Sequence, residues 1–174
     1  MSNKSATFDY VIIGGGTAGC LLANRLSAEE RNRVLLIEAG KADSYPWIHI
    51  PVGYLYCIGN PRTDWLYSTE PDAGLNNRVQ RYPRGKVLGG CSSINGMIYM
   101  RGQARDYDGW AKMTGDDSWT WQNALADFKA HENHYRLDRG ADPKTGNNSR
   151  FSDMHGSGGE WRVEKQRLSW DVLN

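Results

Sequence analysis

The beginning of the chain divides into two short apolar runs separated by a helical pattern. The runs occupy Tyr10–Ile13 and Val34–Ile37, and short apolar runs bounded by turn residues predict buried β-strands. Leucines recur at helical spacing between the runs, which predicts a helix over residues 18–29. The chain therefore begins with a predicted strand, helix and strand, the order of a βαβ unit with a parallel sheet.

The pattern changes over residues 41–81, where prolines and aromatic residues follow no steady period. Such a segment is either a long ordered loop or partly disordered. Its aromatic side chains favour order, because they need a surface against which to pack. Helical periodicity returns over residues 104–113 and again after Thr120, which with Ser118 is a candidate N-cap. Residues 137–158 are rich in glycine, asparagine and aspartate, which predicts an exposed loop.

A glycine-rich turn follows the first predicted strand, with the sequence Gly14-Gly15-Gly16-Thr17-Ala18-Gly19. Glycines allow a tight turn and a close backbone approach, and a helix N-terminus offers free N–H groups to a pyrophosphate. Glu38 ends the second predicted strand about 20 residues further on, where an acid that binds the adenosine ribose is expected. A carboxylate accepts from a ribose 2′-hydroxyl and repels a 2′-phosphate, so the motif disfavours NADP and leaves FAD and NAD open.

A second glycine-rich element begins at Arg84 and reads Arg-Gly-Lys-Val-Leu-Gly-Gly-Cys-Ser-Ser. Its glycines would let the backbone pass close to a flat ligand, and Ser92 or Ser93 is a candidate cap for a helix over residues 94–100. Arg84 and Lys86 would then place positive charge beside that ligand. The alternative is that Asn95-Gly96 marks a surface hairpin turn and that both cations are solvated.

Residues 84–102, continuing Ile-Asn-Gly-Met-Ile-Tyr-Met-Arg-Gly, resemble the first signature of the glucose–methanol–choline (GMC) family of FAD-dependent oxidoreductases. Residues 9–40 are similar to the N-terminus of that family. Residues 106–110, Asp-Tyr-Asp-Gly-Trp, are similar to a sequence that commonly follows the signature in its alcohol and choline dehydrogenase branches. The resemblance covers about residues 8–174.

The resemblance implies an α/β fold, with the N-terminal part of a Rossmann-like FAD-binding domain over residues 1–155. Within it, residues 41–81 are expected to cover the cofactor and residues 84–102 to form the signature. Residues 156–174 are expected to begin a second, substrate-binding domain that this chain does not complete. The sequence of residues 168–174 is typical of a helix beginning, so we expect an N-terminal portion completed by further polypeptide or by a second chain.

The resemblance also implies a cofactor site with FAD held non-covalently. Some family members attach FAD through a histidine, and Ile94 stands at the matching position without a nucleophile. Cys91 replaces a more usual serine beside a possible helix N-terminus that could lower its pKa, although a small buried packing role is favoured. The cofactor-binding residues that we expect are Gly14, Gly16, Thr17, Ala18, Gly19, Glu38, Ala39, Trp65, Arg84, Val87, Gly90, Ser92, Asn95, Gly96, Met97 and Ile98.

The activity implied for the complete protein is oxidation of an alcohol CH–OH group by hydride transfer to flavin N5. The electron acceptor would be oxygen or a quinone-type carrier, and the catalytic histidine is expected beyond Asn174. One alternative is a GMC-fold lyase or photodecarboxylase that uses the same FAD site, and another is a non-catalytic flavin-binding fragment. A homo-oligomer is compatible with the family.

Composition limits the classes of partner, the cellular location and the metal sites that the chain is expected to have. The net charge is +1 and the basic residues do not cluster, so no nucleic-acid or anionic-membrane partner is predicted. The three widely spaced cysteines and an N-terminus without an apolar signal core favour a cytoplasmic protein. His131 and His134 lie three apart on a predicted helix, where they would share a face. Zinc-protease helices need a spacing of four, and we predict no metal site.

Overall fold

The computed structural model describes residues 6–138 and 149–165. The chain forms two compact units, Met1–Ile98 and Tyr99–Asn174. The domain division that we expect at residue 155 falls inside the second unit and stays a prediction. The predicted helix start at residues 168–174 lies outside the described residues.

The first unit begins with the βαβ order that the apolar pattern predicts. Strand β1 (Tyr10–Ile13) precedes helix α1 (Thr17–Ser27) and strand β2 (Val34–Ile37). The strands are parallel, with Tyr10 opposite Val34 and Ile13 opposite Ile37. The positions of both strands are confirmed, but neither strand is buried in this structure. The helix begins one residue earlier and ends two residues earlier than the range 18–29.

The segment that follows β2 is built from short turns rather than long elements. It contains 3₁₀ turns at Pro46–His49, Pro51–Gly53 and Ala73–Leu75, and helix α2 at Tyr54–Cys57. Strands β3 (Tyr67–Ser68) and β4 (Arg81–Tyr82) form a small antiparallel pair. The aromatic residues pack as the sequence predicts, since the rings of Trp47 and Tyr56 stack 4.3 Å apart.

The buried core of the first unit joins this segment to the second glycine-rich element. Its centre consists of Cys57, Val87 and Ile94, against which Tyr45, Trp47 and Ile48 pack. Because Val87 and Ile94 are part of this core, the core anchors residues 84–94.

The second unit carries the two predicted helices. Helix α3 spans Ala104–Thr114 and helix α4 spans Trp121–His131, which confirms both predictions. The 3₁₀ turn Asp117–Trp119 separates them, and the backbone N–H of Trp121 donates to the Asp108 carboxylate at 2.9 Å. This aspartate therefore caps α4, whereas the Thr120 side chain accepts no cap hydrogen bond.

The remaining elements of the second unit correct two predictions. Strand β5 (Glu132–His134) is parallel to strand β6 (Trp161–Val163), and helices α5 (Tyr135–Asp138) and α6 (Ser149–Met154) lie between them in sequence. Residues 149–154 are thus helical, not loop. The prediction that His131 and His134 share a helix face is wrong, because the helix ends at His131 and pairing with β6 extends the next residues.

The predicted helix over residues 94–100 is also wrong. The chain forms a 3₁₀ turn at Gly90–Ser93 and then continues without regular structure to residue 103. The Asn95 side chain accepts from the backbone N–H of Met97 at 2.8 Å, and Met97 has a φ of 57°. Local hydrogen bonding by asparagine competes with helix formation, so Asn95 stops a helix at the position where one was expected. Among the described residues no pair of strands flanks Asn95-Gly96, so the alternative of a hairpin turn is not found either.

Much apolar surface stays exposed on the first strand pair. Ile13 is 86% exposed, and Tyr10, Val11 and Ile37 are also exposed. In the part of the chain that the structure describes, no helix has the length and apolar character needed to cross a membrane.

Candidate cofactor site

The glycine-rich turn between β1 and α1 depends on residues without side chains. Gly14 has a φ of 101°, which is a left-handed conformation that favours glycine. Its backbone N–H donates to the carbonyl of Ile37 at 2.7 Å and so ties the turn to β2. A Cβ atom at Gly19 would lie 2.0 Å from the Gly14 carbonyl oxygen. At this turn Gly14, Thr17 and Ala18 are exposed, Gly16 is half-buried and Gly15 is buried.

Glu38 lies directly against this turn. Its Oε2 accepts from the backbone N–H of Gly15 at 2.7 Å, and its Oε1 accepts from the backbone N–H of Gly40 at 2.7 Å. Each carboxylate oxygen has a further lone pair, so both can accept from a ligand as well. The acid predicted to bind ribose is thus held at the turn, with Ala39 exposed beside it.

The two glycine-rich elements contact each other through their backbones. The N–H of Gly89 donates to the carbonyl of Gly15 at 2.7 Å. A Cβ atom at Gly90 would lie 2.8 Å from the Gly16 Cα, and Gly90 has a φ of 56°. The Thr17 and Ser92 hydroxyl groups form a hydrogen bond. The structure thus brings together elements about 70 residues apart in sequence.

Three residues of the signature differ in burial from what a cofactor lining or the sequence prediction requires. Val87 is 1% exposed and Ile94 is 3% exposed, and both lie in the core, so neither side chain lines an open surface. The favoured interpretation of Cys91 as a buried packing residue is wrong, because it is exposed. Its Sγ accepts weakly from the Gly85 N–H at 3.5 Å, at the surface of the 3₁₀ turn.

The two cations of the signature are held over aromatic rings. The Lys86 ammonium lies 4.4 Å from the centroid of the Trp65 ring, and the Arg84 guanidinium lies 3.8 Å from that of Tyr82. Trp65 stacks on Tyr67 with centroids 5.7 Å apart. Each cation therefore has an aromatic contact that orients it, although Arg84 is also exposed to solvent.

The last predicted cradle residues form an open segment. Asn95, Gly96, Met97 and Ile98 are all exposed, with Ile98 at 82%. Large apolar side chains are free to contact a flat ligand in this segment.

Asp64 is a structural residue that the sequence did not reveal. It is 3% exposed, and its carboxylate accepts from the N–H groups of Gly59, Leu66 and Arg84 at 2.8, 3.0 and 3.1 Å. Burial alone would raise the pKa of Asp64, but these donors and the charge of Arg81 hold that pKa below its usual value. The only sequence signal is an acid in an aromatic segment, which does not identify its partners.

The second unit has a buried ionic cluster of its own. The Glu132 side chain is fully buried. It accepts hydrogen bonds from Arg101 Nη2 and from the Gly156 N–H, both at 2.7 Å, and it lies 3.0 Å from His155 Nδ1. Burial would raise the pKa of Glu132, but the Gly156 N–H, His155 and Arg101 lower it overall. Among the described residues, no group of three His, Cys, Asp or Glu side chains is placed to hold a metal ion.

The geometry of the first unit is that of a known class of protein domain. A βαβ unit with a glycine turn at the helix N-terminus and an acid after the second strand is typical of dinucleotide-binding α/β domains. A second glycine-rich element seated on that turn adds a feature that a bare dinucleotide motif lacks.

The chain belongs to the GMC oxidoreductase family, whose model matches residues 8–166. It is 43% identical over 156 residues to an alcohol dehydrogenase [acceptor] from Pseudomonas putida, covering 90% of this chain and 26% of that protein. It is 48% identical over 138 residues to an oxygen-dependent choline dehydrogenase from Staphylococcus aureus, covering 78% of this chain and 24% of that protein. The resemblance read from the signature is confirmed.

Solved structures agree with this membership. The crystal structure of pyridoxine 4-oxidase from Mesorbium loti is 38% identical, with a TM-score of 0.75, over 90% of this chain and 28% of that chain. An FAD-dependent oxidoreductase from Chaetomium thermophilum is 29% identical, with a TM-score of 0.67, over 90% of this chain and 26% of that chain. The chain thus spans about a quarter of the length of the relatives that it matches.

Proposed function

We propose that this chain supplies the FAD cradle of an oxidoreductase that oxidises an alcohol CH–OH group. The observation that carries the proposal is the backbone contact between the two glycine-rich elements, with Glu38 held at the turn by Gly15 and Gly40. Family membership selects FAD where the first motif alone left FAD and NAD open. The alcohol and choline dehydrogenase relatives support an alcohol substrate.

The residues divide by the part of the cofactor they would hold. Gly14 shapes the turn, since its own N–H already donates to the Ile37 carbonyl. The backbone N–H groups of Gly16 and Gly19 and the Thr17 hydroxyl, at the start of α1, would then donate to a pyrophosphate. Glu38 offers carboxylate oxygens to ribose hydroxyls. When bound, FAD supplies a hydride acceptor at flavin N5.

The remaining residues would surround the cofactor with backbone, aromatic and charged groups. Arg84 and Lys86 place two positive charges on the signature, and positive charge near a reduced, anionic flavin stabilises it. We assign the lining to Ala18, Ala39, Trp65, Arg84, Val87, Gly90, Ser92, Asn95, Gly96, Met97 and Ile98.

The catalytic base, the substrate pocket and the acceptor site are assigned to polypeptide outside this chain. The exposed apolar faces of β1 and β2, including Ile13 and Val11, support this assignment, because a doubly wound sheet buries both faces. We propose that further polypeptide covers these faces in a Rossmann-like domain. We propose a cytoplasmic location and, as electron acceptor, either oxygen or a quinone-type carrier.

Two measurements on the flavoprotein test the proposal. Acid precipitation of the flavin-loaded, full-length protein should leave a yellow supernatant and a colourless pellet, because Ile94 carries no nucleophile and its side chain is buried in the core. Flavin absorbance that stays with the pellet would contradict non-covalent binding.

The second measurement compares the full-length protein with residues 1–174 expressed alone. The full-length protein should contain FAD and reduce a dye in the presence of an alcohol. Residues 1–174 alone should retain little FAD and oxidise no alcohol. A flavin-loaded, active product of residues 1–174 would contradict the placement of the catalytic residues beyond Asn174, and a full-length protein without FAD would contradict the proposal itself.

A further inference from the structure

The Asp64 carboxylate joins three chain segments that are otherwise separate. Gly59 follows helix α2, Leu66 precedes strand β3, and Arg84 begins the GMC signature, and each donates its backbone N–H to this one carboxylate. Leu66 has a φ of 59°, a left-handed conformation that is unusual for a leucine. The hydrogen bond to Asp64 therefore stabilises a backbone geometry that the residue would not choose alone.

A short antiparallel ladder surrounds the carboxylate. The N–H of Lys86 donates to the carbonyl of Thr63 at 2.8 Å, and the N–H of Trp65 donates to the carbonyl of Arg84 at 2.9 Å. Asp64 itself pairs with Gly85 across this ladder. The ladder sets Trp65 beneath the Lys86 ammonium, 4.4 Å from the ring centroid.

We propose that Asp64 is a positioning residue of the flavin site, whose carboxylate locks the segment 41–81 onto the signature and thereby limits how fast FAD is released. This inference rests on the proposed function, because it assigns segment 41–81 to cover the cofactor. Asp64 touches no reacting atom. It acts through Trp65, Arg84 and Lys86, whose positions the ladder fixes.

The three hydrogen bonds that hold segment 41–81 on the signature require a carboxylate at position 64 and not merely a polar side chain. Oδ1 accepts from both Leu66 and Arg84, while Oδ2 accepts from Gly59. An asparagine has one acceptor oxygen and an NH₂ group. In D64N the NH₂ group would therefore lie against at least one backbone N–H, and that N–H would have no acceptor. A buried donor left without an acceptor destabilises its surroundings by enough to change a local opening equilibrium about tenfold.

The test uses the flavin-loaded, full-length protein with D64N, and D72N as the matched control. Asp72 also accepts a backbone N–H, from Gly74 at 2.7 Å, in an exposed turn of the same segment without contact to the signature. We expect D64N to accelerate FAD release into excess charcoal about tenfold. Amide hydrogen exchange at Gly59, Leu66 and Arg84 should accelerate by the same factor, with the amides of β1 and β2 unchanged. D72N should behave as the wild type in both assays.

Different results separate the possible failures. Release and exchange rates in D64N equal to those of D72N would overturn the inference while leaving the FAD assignment intact. A wild-type protein that holds no FAD would overturn the proposed function. The wild-type exchange rates keep the inference testable if D64N does not fold: the amides of Gly59, Leu66 and Arg84 should exchange together as one unit, and three unrelated rates would contradict the lock.

Discussion

Neutralising or removing the Glu38 carboxylate should weaken FAD binding in a graded way. The wild-type carboxylate accepts two backbone N–H groups, from Gly15 and Gly40, at 2.7 Å each. Glu38→Gln keeps one acceptor oxygen and turns an NH₂ group toward the other N–H. Glu38→Ala removes both acceptors, and Glu38→Arg places a cation and a longer side chain against the same two donors.

The magnitude follows from the hydrogen bonds that are lost. A hydrogen bond to a charged group stabilises by about 1.5–3 kcal/mol, so losing the ribose contact in Glu38→Ala should raise the dissociation constant of FAD roughly 10- to 150-fold. Glu38→Gln should show a smaller increase and Glu38→Arg a larger one. The free energy of unfolding should fall in the same order, because Gly15 and Gly40 lose their acceptor even without a ligand.

The assay is titration of the apoprotein with FAD, followed by the quenching of flavin fluorescence, together with urea unfolding of each variant. Glu29→Gln is the matched control, because Glu29 is exposed and lies 3.9 Å from the Arg31 side chain, remote from the turn contacts of Glu38. Wild-type FAD affinity in both Glu38→Ala and Glu38→Arg would show that the ribose assignment is wrong. An affinity loss shared by Glu29→Gln would show that net charge, not the Glu38 position, determines binding.

Three further predictions concern packing and charge. Gly19→Ala should abolish FAD binding, since the added Cβ would lie 2.0 Å from the Gly14 carbonyl oxygen. Gly109→Ala in helix α3 is the control and should be neutral or slightly stabilising, because its added Cβ meets no atom within 4 Å. FAD titration and thermal unfolding of both variants test this prediction. Glu132→Gln should destabilise the second unit by about 3–5 kcal/mol in urea unfolding, because Arg101 would stay buried without its ion-pair partner. The lowered pKa of Glu132, which faces Arg101 and His155, means that its stabilising contribution is full above about pH 5 and is lost as the pH falls through the folded-state pKa. An acid-unfolding curve that is the same for the wild type and Glu132→Gln would contradict that linkage.

The parts of the fold that the sequence predicts are those set by local pattern. The strands at Tyr10–Ile13 and Val34–Ile37, and the helices Ala104–Thr114 and Trp121–His131, follow from apolar periodicity and turn residues a few positions apart. The family resemblance implied that residues of both glycine-rich elements bind one cofactor, but not that the two elements contact each other. That contact depends on Gly90, at which a Cβ atom would lie 2.8 Å from the Gly16 Cα.

The errors have two causes: a polar side chain that competes with the helix pattern, and a strand partner that is distant in sequence. Asn95 accepts the N–H of Met97 and ends the predicted helix over residues 94–100. His134 lies in a strand because Glu132–His134 finds a parallel partner at Trp161–Val163, in a segment where the sequence shows no strand period strong enough to predict pairing. Periodicity reports which face of an element is buried, but not which distant segment supplies its partner.

The buried acids Asp64 and Glu132 show why the rest of the site is out of reach of sequence reasoning. A carboxylate in either position looks like any solvated acid, and its identity as an organising group depends on backbone donors that come from other segments. Arg84 lies 20 residues from Asp64, and Gly156 lies 24 residues from Glu132. Backbone N–H groups have no sequence signature, since every residue except proline carries one. The role of such an acid can be recognised only in the folded structure, where the donors surround it. Its removal should therefore perturb the segments that supply the donors, even where they are distant from the acid in sequence.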